Sequence, residues 1–304
     1  MLRLQAVALL ATIILTGCAS GSPLPAVGTP GAGPSCPAQP LNVVAAESFY
    51  GSIALQLGGA CVRVFSVISS AESDPHEYQI DAQTARAYQT AQVVFQNGLG
   101  YDEFSEKVVS TLSTRPIVVT FGEVLGLKPG DNPHLWYHPQ YVERIAAAMT
   151  AAYQRARPEA SAYFEQQART FREALREYQT LVEQIRRQYA GTPVGATESI
   201  AVYLTEALGL RLLTPPQLLD TISEGGQPSL ADVTTMQQQI EQRQIRVLIV
   251  NAQTESPLTR RWAELARARG VPVVEVSEVP AATDATFQAW QVRQLRALLA
   301  ALGG

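Results

Sequence analysis

Residues 131–139 read Asp-Asn-Pro-His-Leu-Trp-Tyr-His-Pro and hold two of the three histidines in the chain. An earlier segment, residues 73–78, reads Ser-Asp-Pro-His-Glu-Tyr and repeats the order of acid, proline, histidine and aromatic residue. Because proline restricts the backbone around itself, His76 and His134 are both presented from stiff loops. Neutral imidazole is the commonest protein ligand for divalent transition metals. A lone histidine is usually an ordinary polar residue, but two similar loops in a histidine-poor chain indicate a metal site.

The composition is that of an ordinary globular protein. The chain has 304 residues, 46% of them hydrophobic and 16% charged, with a formal net charge of −4. This length predicts two domains, each large enough to bury its own core. No run of lysine or arginine is present, so nucleic acid is not expected as a partner.

The N-terminus predicts an exported, lipid-anchored protein. Residues 1–17 carry Arg3 and then an apolar run too short to span a bilayer, which is typical of a signal peptide. The run ends in Leu-Thr-Gly before Cys18, like a bacterial lipobox, whose cysteine is lipidated; the alternative is an ordinary cleavage site with an incidental cysteine. Residues 18–40 are rich in Gly, Pro, Ala and Ser and predict a flexible tether. The mature protein is therefore expected outside the cytoplasm, anchored to the outer face of the plasma membrane through Cys18.

The two remaining cysteines, Cys36 and Cys61, are predicted to form a disulfide. An even pair in an exported protein favours a bridge. Cys36 precedes the first predicted strand and Cys61 opens the second, and adjacent parallel strands begin at the same edge of a sheet. Two unpaired thiols are the alternative.

Strands alternate with helices along the rest of the chain, which predicts an α/β fold with parallel sheets covered on both faces. We expect an N-terminal lobe at residues 41–138 and a C-terminal lobe at residues 191–304, with a metal cleft between them. The predicted strands cover residues 41–46, 62–68, 91–95, 116–121, 193–197, 246–250 and 271–276. Helices are expected to begin after Asp81 and Ser229, both good N-caps.

Residues 139–190 are predicted to be linking helices. Pro139 suits the first turn of a helix, and Pro158 should break or kink the one that it starts. From residue 158 to residue 189 the helical pattern spans roughly 48 Å at 1.5 Å per residue. That length favours a single rigid helix that joins the two lobes.

Ligands of open α/β sheets bind beyond the carboxyl ends of the strands, so polar residues that follow strands are the candidates. His76 and His134 follow strands of the first lobe, and Glu198 and Glu278 follow strands of the second. Two imidazoles and two carboxylates suit Zn²⁺ or Mn²⁺, and two carboxylates neutralise a divalent cation. For the two glutamates, a helix cap or an exposed carboxylate is the alternative.

Three further residues are candidates near this site. Glu47 and Glu255 also follow strands and could support the ligands or replace one of them. His138 lies four residues after His134, but Pro139 makes a continuous helix across the pair improbable, so we expect His138 beside the site.

Taken together, these segments resemble the zinc/manganese-type solute-binding lipoproteins of bacterial metal ABC importers, the cluster A-I family. The resemblance implies two lobes that hold a metal ion between four residues, which match His76, His134, Glu198 and, where relatives often use aspartate, Glu278. The matching segments are residues 73–78 (SDPHEY), 97–101 (NGLGY), 131–139 (DNPHLWYHP), 195–200 (GATESI), 251–256 (NAQTES) and 274–278 (VEVSE).

The resemblance further implies a monomeric binding protein, not an enzyme, that captures Mn²⁺ or Zn²⁺ and delivers it to the membrane subunit of an ABC permease. Two features depart from many relatives: His138, and the lack of a histidine-rich loop before His134. Two carboxylates without such a loop favour Mn²⁺, yet Zn²⁺ would bind the same set at least as tightly. The alternatives are a metal-dependent extracytoplasmic hydrolase, with Glu47 or Glu255 as general base, and a surface adhesin.

Overall fold

The computed structural model describes residues 35–70 and 78–304, and shows two four-stranded parallel sheets flanked by helices. The first sheet has the order β2-β1-β3-β4, and the second has the order β6-β5-β7-β8. The strands are β1 Leu41–Glu47, β2 Val62–Ile68, β3 Val93–Gln96, β4 Ile117–Thr120, β5 Pro193–Ala196, β6 Arg211–Leu212, β7 Leu248–Asn251 and β8 Val273–Val276. The predicted α/β class with two parallel sheets is confirmed.

Twelve α-helices connect and cover the strands in the part of the chain that the structure describes. They are α1 Ser48–Gly58, α2 Ala82–Thr90, α3 Glu103–Thr111, α4 Phe121–Leu125, α5 Pro139–Ala156, α6 Ser161–Ala174, α7 Arg176–Tyr189, α8 Val202–Ala207, α9 Pro216–Ser223, α10 Leu230–Glu241, α11 Pro257–Ala268 and α12 Phe287–Gly303. Two predicted caps are present: Asp81 accepts a hydrogen bond from Thr84 N at 2.7 Å, and Ser229 accepts one from Asp232 N at 3.1 Å. Pro139 is the first residue of α5, as predicted.

The two sheets share one connectivity. In each, the first strand along the chain is flanked by the second and third strands, so β1 lies between β2 and β3, and β5 lies between β6 and β7. In each sheet, the second strand lies on one side of the first strand and the third strand lies on the other side. This reversal of direction opens a crevice beyond the carboxyl ends of the first and third strands. The residues after β1, β3, β5 and β7 are therefore placed where a ligand can bind.

The expected single rigid helix between the sheets is not confirmed. Helix α5 ends before Pro158, as predicted, and a short 3₁₀ turn at Pro158–Ala160 leads into α6. Helices α6 and α7 form one bent helix, because Leu175 still bonds to Phe171 O at 3.1 Å and Gln179 to Leu175 O at 2.9 Å. The bend follows a change of packing partner: α6 packs on α1 and α5, and α7 packs on α12.

The core runs continuously from one sheet to the other. The ring of Phe49 lies 4.2 Å from that of Trp136 and 6.0 Å from that of Trp290, between centroids. Helices α1 and α12 are further joined by two reciprocal hydrogen bonds between the Gln56 and Gln288 amides, at 3.0 and 2.9 Å. Phe287 N also donates to Ser52 Oγ at 2.9 Å. These contacts tie the beginning of the described chain to its end.

Cys36 and Cys61 form a disulfide with a Cα–Cα distance of 5.0 Å. It lies at the edge of the first sheet where β1 and β2 begin, as the sequence predicted. The predicted signal peptide, Cys18 and His76 fall outside the described residues. Among those that are described, no helix is long and apolar enough to cross a membrane.

Candidate metal centre

Three predicted ligands lie around the space between the two sheets. His134 belongs to the loop before α5, Glu198 follows β5, and Glu278 follows β8. Asn132, two residues before His134, donates to the carbonyl of Ser199, the neighbour of Glu198, at 2.7 Å. The fourth predicted ligand, His76, lies outside the described residues.

The His134 ring is oriented by Asn132. The Asn132 Oδ1 atom lies 2.9 Å from the His134 backbone N and 2.7 Å from its Nδ1. Because Asn132 Nδ2 donates to Ser199 O, the opposite amide atom must be the acceptor. His134 therefore carries its hydrogen on Nδ1 and its lone pair on Nε2, the arrangement that a metal-ligating imidazole needs.

The loop that carries His134 is stiff for local reasons. The carbonyl of Pro133 accepts a hydrogen bond from Asn97 Nδ2 at 3.1 Å. Residues Leu135–Tyr137 form a buried 3₁₀ turn. The Trp136 ring lies 5.3 Å from the imidazole, edge-on. His134 as a whole residue is 4% exposed, so its ring has little freedom to reorient.

The two carboxylates share one hydrogen-bond donor. Asn251 Nδ2 donates to Glu198 Oε1 and, at 2.8 Å, to Glu278 Oε1. The remaining oxygens accept from hydroxyl groups: Glu198 Oε2 from Thr254 at 2.6 Å, and Glu278 Oε2 from Tyr101 at 2.7 Å. The orientation of the Asn251 amide is fixed, because its Oδ1 accepts from the backbone N of residue 253 at 3.0 Å.

The local electrostatics favour a cation. Burial, and then the negative charge of Glu278, raise the pKa of Glu198 to about 7, against hydrogen bonds from Thr254 and Asn251 that lower it. Two carboxylates held by one amide repel each other when both are ionised. A divalent cation between them would relieve that repulsion and balance both charges.

The three described candidates stand around one cleft without forming a closed coordination shell. Within residues 35–70 and 78–304, no three His, Cys, Asp or Glu side chains are gathered closely enough to hold a metal ion as they stand. Binding a metal through His134, Glu198 and Glu278 therefore requires their side chains to draw together.

The other three candidates lie in different surroundings. Glu47 is fully buried next to Asp102, and burial raises its pKa well above the usual value. Glu255 is exposed and pairs with Arg260 at 3.0 Å, which lowers its pKa. His138 precedes α5, and its ring stacks on Tyr141 with centroids 4.4 Å apart; burial lowers its pKa.

Sequence reasoning missed the polar residues that hydrogen-bond to the candidate ligands or to the loop that carries one. Asn132, Asn251, Thr254 and Tyr101 all stand in segments that carry the family resemblance, yet none was assigned a role. Their one sequence signal is position: Asn132 precedes a histidine, and Asn251 ends a strand.

A family model described as ZnuA, zinc-uptake complex component A, periplasmic, matches residues 43–301. Solved structures share the fold at low identity. The periplasmic zinc-binding protein TroA from Treponema pallidum is 18% identical with a TM-score of 0.70, over 87% of this chain and 99% of that chain. A Mn-bound S38A mutant of a periplasmic metal-binding protein from Candidatus Liberibacter asiaticus is 19% identical with a TM-score of 0.72, over 86% and 98% of the two chains. The Cd-bound form of the same protein has a TM-score of 0.71.

Proposed function

The chain belongs to the ZnuA family of periplasmic zinc-uptake components, and on that premise we propose that it captures Mn²⁺ or Zn²⁺ and delivers it to an ABC permease. We assign the ligands as His76, His134, Glu198 and Glu278. The metal is cargo rather than a resident cofactor, and binding rather than catalysis is the activity.

One observation carries this proposal: Asn251 bridges two carboxylates on one side of a cleft whose other side presents a tautomer-fixed imidazole. An imidazole nitrogen and carboxylate oxygens are donors that both Mn²⁺ and Zn²⁺ accept. The same bridge supports Glu278 over Glu255 as the second carboxylate, because Glu278 shares its donor with Glu198 and Glu255 pairs with Arg260.

The ligand assignment is tested by calorimetric titration of Mn²⁺ and Zn²⁺ into alanine variants. His76→Ala, His134→Ala, Glu198→Ala and Glu278→Ala should each remove most of the affinity, because three remaining ligands cannot close the shell. Glu255→Ala is the matched control, since it removes a carboxylate that lies on the surface, and it should bind like the wild type. His138→Ala should also have only a mild effect. Wild-type affinity in both Glu198→Ala and Glu278→Ala would contradict a metal ion held between the two sheets.

The choice between Mn²⁺ and Zn²⁺ depends on supply as well as affinity. Zn²⁺ binds most N/O sites more tightly than Mn²⁺, so tighter zinc binding in vitro is expected whichever metal is carried. The metal content of protein isolated from its own cells, compared with both affinities, identifies the cargo.

Delivery to a permease fits a monomer anchored outside the plasma membrane through a lipid on Cys18. Cys18→Ala should abolish lipid labelling and release the protein from the membrane fraction. Unchanged attachment and an unchanged N-terminal mass would contradict this anchoring.

A hydrolase has weaker support from the geometry. The two carboxylates considered as a general base are engaged elsewhere, Glu47 with Asp102 in the core and Glu255 with Arg260 on the surface. No contact within residues 35–70 and 78–304 specifically favours an adhesin.

A further inference from the structure

A strained turn connects the two halves of the metal centre. Residues 97–102, here called the support turn, read Asn-Gly-Leu-Gly-Tyr-Asp and follow β3 directly. Three consecutive residues have positive φ: Gly98 at 77°, Leu99 at 63° and Gly100 at 85°. A residue with a side chain in this region costs free energy and persists only where its surroundings enforce the conformation.

Asp102 enforces it from within the turn. Its two carboxylate oxygens accept hydrogen bonds from the backbone N of Asn97 at 2.6 Å and of Gly98 at 2.8 Å. A Cβ atom at Gly98 would come within 2.5 Å of Thr120 Cγ2, so the chain passes too close to β4 for any larger residue. The turn is therefore fixed by a buried anion and by close packing together.

Glu47 is the buried neighbour of Asp102, and both residues are 0% exposed. Both side-chain oxygens of Glu47 are buried, and among the described residues neither makes a well-formed hydrogen bond to another side chain. The neighbouring acid is Asp102, whose charge and carboxyl group raise the pKa of Glu47. A hydrogen bond between two carboxyls needs one proton. Burial, and then the charge of Asp102, raise the pKa of Glu47 well above its usual value, while burial raises the pKa of Asp102 to about 6. Within this pair, Glu47 is thus the acid that holds a proton more tightly, and Asp102 is the one that ionises first.

The support turn reaches both sides of the cleft. Asn97 Nδ2 donates to the carbonyl of Pro133, directly before His134, at 3.1 Å. Asn97 Oδ1 accepts from Tyr50 OH at 2.6 Å, which fixes the orientation of the amide. At the other end of the turn, Tyr101 OH donates to Glu278 at 2.7 Å.

We propose that the support turn positions His134 and Glu278 relative to each other, with Asn97 and Tyr101 as positioning residues and the Glu47–Asp102 pair as the clamp that keeps the turn strained. This inference rests on the proposed metal-binding function and assigns Glu47 a role other than ligand. Residues that orient metal ligands typically contribute 10- to 100-fold to affinity, because a loose ligand must be ordered when the metal binds.

The sharpest test compares two buried tyrosines. Tyr50 and Tyr153 are both 0% exposed, and each makes one hydrogen bond through its hydroxyl, Tyr153 to Ala54 O at 3.0 Å. Only the Tyr50 bond leads to the His134 loop. Tyr50→Phe should weaken Mn²⁺ and Zn²⁺ binding about fivefold, and Tyr153→Phe should leave it within twofold, at similar losses of thermal stability.

Two further variants separate the clamp from general stability. Glu47→Gln keeps a donor toward Asp102 and should bind like the wild type, whereas Glu47→Leu removes the donor and should bind about 10-fold more weakly. Asn97→Asp keeps the acceptor for Tyr50 but cannot donate to Pro133, so a loss of about 10- to 100-fold is expected.

The outcomes distinguish this inference from the proposed function. A wild-type protein that binds neither metal overturns both. Wild-type binding with Tyr50→Phe and Glu47→Leu unchanged overturns the role of the support turn alone. If Asn97→Asp or Glu47→Leu does not fold, the two tyrosine variants decide the question by themselves.

Discussion

Each sheet places a glutamate and an asparagine at the carboxyl ends of its first and third strands, but the second acid beside each glutamate lies in different surroundings. In the first sheet, Glu47 ends β1 and Asn97 follows β3; in the second, Glu198 follows β5 and Asn251 ends β7. Glu47 neighbours Asp102 in the core, and burial followed by the charge of Asp102 raises its pKa. Glu198 faces Glu278 across a side-chain amide, at the cleft where His134 is presented.

On the proposed function, the same strand-end geometry serves two purposes. Where a second acid is buried in the core, one proton removes one of the two negative charges, and the pair can support the neighbouring turn. Where the second acid comes from a later strand and borders a cleft, a divalent cation can supply the missing charge. The second acid, Asp102 in the first sheet and Glu278 beside the second, is therefore the residue that distinguishes the two sites.

The largest expected effect comes from a change in the second pair of acids, Glu198 and Glu278. Glu198→Gln removes one of the two charges that hold the cation and should weaken Mn²⁺ and Zn²⁺ binding roughly 100- to 1000-fold, or about 3–4 kcal/mol. Glu47→Gln makes the same chemical change in the first pair and should stay within threefold of the wild type. Calorimetric titration with chelator competition measures both. Equal losses in the two variants would contradict the comparison.

Removal of the disulfide tests whether metal affinity depends on the residues of the site alone or also on the stability of the whole fold. The bridge lies at the opposite edge of the first sheet from Glu47 and closes a separation of 25 residues. The Cys36→Ala/Cys61→Ala double variant should lose about 3 kcal/mol of unfolding free energy. Its metal affinity should stay within twofold, as measured by titration well below the melting temperature. A metal affinity that falls in proportion to the unfolding free energy would show that binding depends on the stability of the first sheet.

The pH dependence of stability tests the part of the comparison that concerns Glu47 and Asp102. Because the folded-state pKa of Glu47 is raised, its contribution to stability is fully present below about pH 4.5 and is lost as the pH rises through the folded value. In the presence of chelator, wild-type protein should therefore lose about 1–2 kcal/mol more than Glu47→Gln between pH 5 and pH 7. Denaturant unfolding at both pH values measures this. Groups remote from Glu47, such as Glu198, titrate alike in both proteins and cancel in the difference. Asp102, whose pKa is raised to about 6, is coupled to Glu47 and does not cancel. Parallel curves would therefore contradict a raised pKa of the Glu47–Asp102 pair.

The smallest effect concerns a single hydroxyl. Thr254→Val removes the donor to Glu198 Oε2 and should weaken metal binding about fivefold. Thr235→Val is the control, because Thr235 is an exposed residue whose hydroxyl donates to the carbonyl of Ala231 within its own helix. Indistinguishable affinities for the two variants would show that Thr254 does not orient the carboxylate.

Most of the fold could be predicted from local sequence patterns. Alternation and β-branched residues located the strands, Pro139 and Asp81 marked helix starts, and the spacing of Cys36 and Cys61 matched adjacent strand starts. The bend at Leu175 was not predictable, because the helical pattern continues through it and the bend reflects packing partners that the sequence does not reveal. The strand β6 has two residues, too few for any alternation to show.

The candidate site was predictable as a set of charged and imidazole residues at strand ends, but not as a geometry. Asn251 joins Glu198 and Glu278 across 53 and 27 residues of sequence, and Tyr101 meets Glu278 across 177. Neutral amides and hydroxyls at such separations give no periodic signal. The role of Glu47 was left open for the same reason: its partner Asp102 is one of many acids, and only the fold brings the two together.

The contacts between α1 and α12 have a consequence for the order of folding. Ser52 and Phe287 are 235 residues apart, and the Gln56–Gln288 pair is 232 apart. Contacts of such long range form late, after the entropy of closing a very large loop has been overcome. A chain that emerges N-terminus first can form its first sheet early, but the face of α1 stays uncovered until the last helix arrives. Unfinished chains would leave Phe49 of α1 without its contact to Trp290, which makes α12 the element whose truncation we expect to cause aggregation.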